Sequence, residues 1–196
     1  MAKSFLVDAR VQAKDNLDRL GDLELIAAIN RGDPDAFEVL YFRYRDWVVR
    51  LVYRFTRDEQ ASLDVLQETF LYFLKKFPGF RLTANLKTFL YPAVRNLSTG
   101  AREKSQQYQA TAVELGTLEN TPAPEPVSAN LGDLQLVLTA LSEDHREVLF
   151  LRFVDGLSLL EIAQSMDIPV GTVKSRLHNG LQTLRIDPRT REFFGQ

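Results

Sequence analysis

The stretch Leu157 to Leu184, LSLLEIAQSMDIPVGTVKSRLHNGLQTL, leaves the C-terminal part of this chain few choices of fold. Ser158 is a good N-cap, and Glu161 three residues on completes a capping box, so a helix starts here and carries Leu160, Ile162 and Ala163. Asp167, Ile168 and Pro169 stop it after Met166, and a second helix begins at Val170 or Gly171 with Val173, Leu177, Leu181 and Leu184 on one stripe. Helices joined this tightly cross steeply, with Ala163, Ile168 and Val173 at the crossing. From Gly171 onward, Thr172, Lys174, Ser175, Arg176, His178 and Asn179 then turn outward. This is the helix-turn-helix arrangement, whose second helix enters the major groove of DNA. Two amphipathic helices also occur in plain bundles, where the outward residues are only a solvated face. The free N–H groups, hydroxyl and cations of GTVKSR favour phosphate contact instead, and Arg176 is placed to reach a guanine edge.

The net charge bounds what the rest of the chain can do. A formal charge of -2 over 196 residues and a pI near 5.8 argue against non-specific coating of nucleic acid, which draws on a broad excess of Lys and Arg. Contact with DNA must be local. The chain has no cysteine, which removes disulfides, thiolate zinc sites and cysteine nucleophiles together. His145 and His178 are its two histidines, far apart and without ligand-like spacing, so neither a metal site nor a cofactor is expected. There is no nucleophile and base pairing and no phosphate-binding glycine loop, and the chain is read as a binding protein, not an enzyme. Charges interrupt MAKSFLVDARVQAKDNL where a signal peptide would be apolar, and no apolar run reaches the roughly eighteen residues of a spanning helix. The expectation is a cytoplasmic protein without membrane insertion.

Residues 1 to 21 show no sustained period and read as an arm. From Asp22 a helix holds Leu23, Ile26 and Ala27 and stops at Gly32; Asp33 caps the next, with Pro34 at its first position, and the stripe from Phe37 to Phe55 keeps it to about Thr56. Asp58 caps a third helix running to Phe77, where Pro78 and Gly79 stop it. Leu63, Leu66, Phe70, Phe73, Leu74 and Phe77 share its core face in this reading, and Asp64, Gln67, Glu68 and Leu71 form a strip on the flank. Such a strip is either a solvated face or a docking surface for a basic partner helix. The loop Phe80 to Asn85 leads to a fourth helix with Leu86, Phe89, Leu90, Ala93, Val94 and Leu97. Pro92 inside it should kink or split it. Between Arg81 and Lys104 the cations Arg81, Lys87, Arg95, Arg102 and Lys104 face one acid, Glu103. In an acidic chain this is a phosphate-tracking surface, set beside a loop able to stack on or hydrogen-bond an unpaired base.

From Ser105 to Asn130 periodicity is lost. The segment carries Glu114, Glu119 and Glu125, no Lys or Arg, and the run TPAPEP, and reads as a flexible acidic linker. Beyond it a helix through Leu134, Val137, Leu138 and Leu141 precedes one capped by Ser142 that carries Val148, Leu149, Leu151, Arg152 and Phe153 to Gly156, and the helix-turn-helix follows. The expected fold is all-α: two small helical domains, residues 22 to 104 and 131 to 196, joined by the linker at 105 to 130.

Four motifs in order resemble bacterial sigma factors of the extracytoplasmic-function (ECF, group 4) family. GDPDAFEVLYFRY at residues 32 to 44 is similar to the family's GD-x-x-AF-x-x-LY opening, LDVLQETF at 63 to 70 to its D-x-x-Q-x-x-F strip, and FLYPAVRN at 89 to 96 to its W-L-x-x-I-A-x-N helix; the run from Leu141 to Leu177 is the most specific. The resemblance implies that Asp64, Gln67, Glu68, Phe70 and Leu71 dock on the clamp helices of the polymerase beta-prime subunit. It implies that Phe80, Arg81, Thr83, Asn85, Lys87, Phe89 and Asn96 capture a flipped base of the minus-ten element while Arg95, Arg102 and Lys104 hold the backbone. Gly171, Thr172, Lys174, Ser175, Arg176, His178 and Asn179 would read the minus-thirty-five element. The implied partners are core RNA polymerase, through the beta-prime clamp and the beta flap, promoter DNA and, as an optional third, an anti-sigma factor. Phe89 stands where the family usually has tryptophan, and His178-Asn179-Gly180-Leu181 replaces a more basic run, with Gly180 costing up to about 1 kcal/mol of helix propensity. A stand-alone helix-turn-helix regulator explains the C-terminal half equally well but not the strip, basic helix and linker. A degenerate sigma-like interaction protein is the third reading.

Overall fold

The computed structural model describes residues 16 to 114, 138, 140 to 188 and 190. The chain divides into two compact units, Met1–Thr117 and Leu118–Gln196.

The first unit is built on three consecutive helices whose starts follow their caps. In α1, Asp22–Asn30, the Gly21 N–H donates to Glu24 Oε2 at 2.8 Å. Gly32, with φ +89°, turns the chain, and Asp33 Oδ1 accepts from the N–H groups of Asp35 and Ala36 at 3.0 and 3.3 Å to open α2, Pro34–Thr56. Asp58 accepts from Ala61 N–H at 3.0 Å and opens α3, Glu59–Leu74. The chain before α1 is held as well, since Arg43 of α2 pairs with Asp22 at 2.8 Å and donates to the carbonyls of Asp18 and Leu20. The fourth helix, α4, spans Leu86–Glu114. Leu25, Leu40, Val48, Val52, Phe73, Leu86, Leu90, Tyr91 and Val94 are sealed from solvent and form one core from all four helices.

Four expectations change here. The third helix ends at Leu74, and Lys76 and Phe77 close a tighter turn onto the carbonyls of Phe73 and Leu74. Leu63 and Leu74, expected in the core, are 49% and 44% exposed, because the buried face centres on Val65, Leu66, Thr69, Phe70 and Phe73. Pro92 does not split the fourth helix, and the segment expected to be linker from residue 105 continues it for another three turns. A proline in the interior of a helix costs about 3 kcal/mol. Burying Leu86, Leu90, Tyr91 and Val94 returns about 1.5 to 3 kcal/mol for each large side chain, which offsets that cost and keeps the helix unbroken. Pro92 itself faces solvent. The remainder of the linker, from residue 115, lies outside the described residues.

In the second unit Ser142 Oγ accepts from His145 N–H at 3.4 Å and caps α5, Glu143–Leu149. The helix then widens into a π turn, Phe150–Val154, with Asp155 N–H donating to Phe150 O at 3.0 Å, and Gly156, φ +76°, ends it. The wider turn rotates Phe153 and Val154 outward, to 65% and 66% exposure, where a regular helix was expected to carry Phe153 along with the core. The capping box of Ser158 and Glu161 forms as read from the sequence, opening α6, Leu159–Met166. Asp167 takes a left-handed conformation, and α7, Val170–Ile186, follows. Val148, Leu151, Leu157, Ile162 and Val173 fill this unit's core. Leu134, Val137 and most of the tail lie outside the described residues.

Candidate functional site

On α3 the strip read from the sequence lies on the surface: Asp64, Gln67 and Glu68 are exposed and Leu71 is 56% exposed. Phe70, expected to dock with them, is 4% exposed and turned the other way. Its ring packs edge-on against Tyr41 at 4.8 Å and Phe37 at 6.2 Å, so it fixes α3 on α2 from behind the strip. Leu63 and Leu74 take its place on the outer surface and lengthen the strip by an aliphatic group at each end. The signal that separates them from the core is the spacing of Ser62, Val65, Leu66 and Thr69, in which small polar residues hide within the buried arc.

The loop before α4 is held from an unexpected side. Asn30, at the end of α1, accepts from Gly79 N–H at 2.6 Å and Phe80 N–H at 3.1 Å, and donates from Nδ2 to Phe80 O at 2.8 Å. One amide thus satisfies three backbone groups fifty residues away, which no local pattern in the sequence discloses. Asn85 caps α4, its Oδ1 accepting from Lys87 N–H at 2.9 Å. Thr83, Arg81 and Asn85 are exposed. Phe80 and Phe89, both expected among the residues that capture a base, meet each other at 4.7 Å and both contact Phe73; Phe89 also stacks on Tyr72 at 6.0 Å. Each is half-buried, so the cluster forms the floor beneath the loop. Lys87 Nζ lies 5.8 Å from the Trp47 ring centre. Arg95, Asn96, Arg102 and Lys104 are exposed along α4. An open groove of about 550 Å³ between α3 and α4 is lined by Glu68, Leu71, Tyr72, Pro92, Asn96 and Leu97, so the acidic strip and the basic helix share one border.

In the second unit, Gly171, Lys174, Ser175, His178 and Asn179 are exposed along α7, and Thr172 is half-exposed. Val173 is fully buried against the preceding helices, as the crossing required. Arg176 does not simply point outward: Nη2 is 2.5 Å from Asp144 Oδ2 in the first turn of α5, with the guanidinium side chain 22% exposed. The stripe beyond it departs from the sequence reading, because Gly180 is buried and Leu181 is 46% exposed. A Cβ on Gly180 would stand 3.0 Å from Leu149 Cδ1 and 3.4 Å from His145 Cβ, so the glycine lets α7 approach α5 closely.

Among the described residues no helix is long and apolar enough to cross a membrane.

Comparison with known proteins matches both units. The family model for sigma-70 region 2 matches residues 40–107, and that for sigma-70 region 4 matches residues 131–184. The chain is 32% identical over 173 residues to the ECF RNA polymerase sigma factor SigW of Bacillus subtilis, covering 82% of this chain and 92% of that one. It is 31% identical over 188 residues to the RNA polymerase sigma-H factor of Pseudomonas aeruginosa, covering 87% and 96%. Its fold is similar to that of CnrH, solved in complex with the cytosolic domain of CnrY, with a TM-score of 0.61 at 20% identity over 84% of this chain and 94% of that one. It is also similar to the sigma factor RpoE from Bartonella quintana, solved with the anti-sigma factor NepR, with a TM-score of 0.54 at 24% identity over 76% and 94%. Sequence identity above 30% across nearly the whole length of these relatives, with both regions in order, places the chain in the family of ECF RNA polymerase sigma factors.

Proposed function

We propose that this protein binds core RNA polymerase and directs it to promoters, with α3 as the docking element, the loop at residues 80 to 85 and α4 at the minus-ten element, and α7 at the minus-thirty-five element. The observation that carries the docking assignment is the outer side of α3. Leu63, Leu71 and Leu74 are exposed beside Asp64, Gln67 and Glu68 while the opposite face is sealed. Aliphatic side chains left in water between acids suit a partner helix with apolar and basic groups, and the clamp helices of the beta-prime subunit are that partner in this reading. Arg81, Thr83 and Asn85 are exposed in the loop that begins at the half-buried ring of Phe80, itself packed on Phe89, so an unpaired base has both polar groups and a ring edge to meet. The exposed cations Arg95, Arg102 and Lys104 supply phosphate contacts along the same helix. Gly171, Thr172, Lys174 and Ser175 open α7 with a small residue, two hydroxyls and one cation on its accessible side, an arrangement suited to seating a recognition helix on the DNA backbone. The beta flap is the surface assigned to the second unit, and an anti-sigma factor is a further partner of the same surfaces. The protein performs no catalysis in this account; the polymerase does.

Run-off transcription tests the proposal. Core polymerase alone should give no specific transcript from a pool of genomic fragments, and core plus this protein should give discrete ones. Absence of any added transcript at saturating protein would refute it.

A further inference from the structure

We infer that Asp144 is a specificity-determining partner of Arg176, holding its guanidinium for a base edge and withholding it from phosphate. This rests on the reading of α7 as the minus-thirty-five recognition helix. Arg176 is the one residue of that helix's predicted DNA-facing set for which the structure gives an ion pair, at 2.5 Å from Nη2 to Asp144 Oδ2. The two residues come from different helices, 32 positions apart. A long, flexible cation is thereby fixed by a group outside the recognition helix. The guanidinium has five N–H donors, and a carboxylate held on Nη2 leaves others to reach the N7 and O6 acceptors of guanine together.

The carboxylate also changes the electrostatics. Asp144 is 51% exposed in the first turn of α5, and a negative charge at a DNA-facing surface repels phosphate. Paired with it, Arg176 adds no net positive charge, so it contributes little to the counterion release that drives sequence-independent binding. An unpaired arginine here would swing to the nearest phosphate. The paired one gains only when a base offers acceptors to its remaining donors. Affinity for any duplex is therefore traded for discrimination, in a helix where Asn179 and Leu181 already stand in place of the cations that the family resemblance leads one to expect.

The test uses holoenzyme assembled from core polymerase and full-length protein, with two probes: a duplex pool randomised across the upstream element and sequenced before and after selection, and a single random-sequence duplex titrated with salt. Asp144→Asn should flatten the base preference by roughly tenfold at one or two positions. It should also tighten random-duplex binding and steepen its log-log salt slope by about 0.9. Glu143→Gln removes a charge from the same turn without touching Arg176 and should leave base preference unchanged; Asp144→Glu should retain it in part. Thermal melting of each variant confirms a folded second unit. If Arg176→Ala erases the preference and Asp144→Asn leaves it intact, the inference fails while the recognition helix stands. If Arg176→Ala leaves the preference intact, Arg176 reads no base and the underlying assignment of that residue falls with it.

Discussion

Single side chains do more positioning here than their local sequence suggests. Asn30 closes three hydrogen bonds to Gly79 and Phe80, each contributing about 0.5 to 1.5 kcal/mol. Asn30→Ala should lower stability by about 1.5 to 4.5 kcal/mol and loosen the loop it holds. Its transcription defect should be larger on duplex promoters than on templates with a pre-melted minus-ten region; equal defects on both would show that the loop plays no part in opening. Tyr44 is a second case. Burial, then its hydrogen bond to Asp22 and the charge of that carboxylate, push its phenol well above the ordinary value, against the opposing effect of Arg43. A phenol whose folded pKa is raised stabilises the fold fully below its unfolded value near 10, and that contribution is lost as pH climbs from there toward the folded value. The melting temperature should therefore be insensitive to this group at neutral pH and fall above about pH 10. In Tyr44→Phe the alkaline fall should be shallower, as a series of melts across that range would record. Gly180, which the sequence marks as a weakness of α7, is instead where the helix touches Leu149, and a methyl there must displace that side chain by a few tenths of an ångström.

At the level of elements, α3 separates its two jobs by face. Phe70 and Phe73 anchor it to α2 through rings on Phe37 and Tyr41, and the opposite side carries Asp64, Gln67 and Leu71 into solvent. Replacing Asp64 and Gln67 together by alanine should abolish co-purification with core polymerase and change the melting temperature little, since exposed polar groups contribute within about 0.5 kcal/mol. Retained binding would remove the docking assignment. Phe70→Ala should do the reverse, costing about 3 to 5 kcal/mol of stability through a buried cavity and losing polymerase binding only with the fold. In α4, tertiary packing overrides a strong local signal: a proline that breaks helices in isolation is carried on the solvent side of a 29-residue helix.

For the whole molecule, a net charge of -2 and a recognition helix whose Arg176 is already paired leave little sequence-independent affinity for DNA. The free protein should not shift duplex promoter fragments at physiological salt, whereas the holoenzyme should, and a mobility-shift assay with and without core polymerase decides it. A specific shift by the free protein would favour a stand-alone regulator. Two compact units, each with its own core, suit a protein that gains affinity by presenting two modest surfaces on one large partner.

By itself the sequence determined the all-helical class, the caps at Asp33, Asp58, Ser142 and Ser158, the turn at Asp167 to Pro169, and four ordered motifs that identify the family, because caps, breakers and apolar periods act within a few residues. Only the tertiary structure decided between the core and docking readings of Phe70, and that Leu63 and Leu74 are surface, that α4 runs through Pro92 and on to Glu114, that Asn30 holds the loop at Phe80, and that Asp144 holds Arg176. Each of these depends on which helix lies opposite, and burial and ion pairing between residues 32 to 50 positions apart leave no periodic trace in either partner's own stretch of chain.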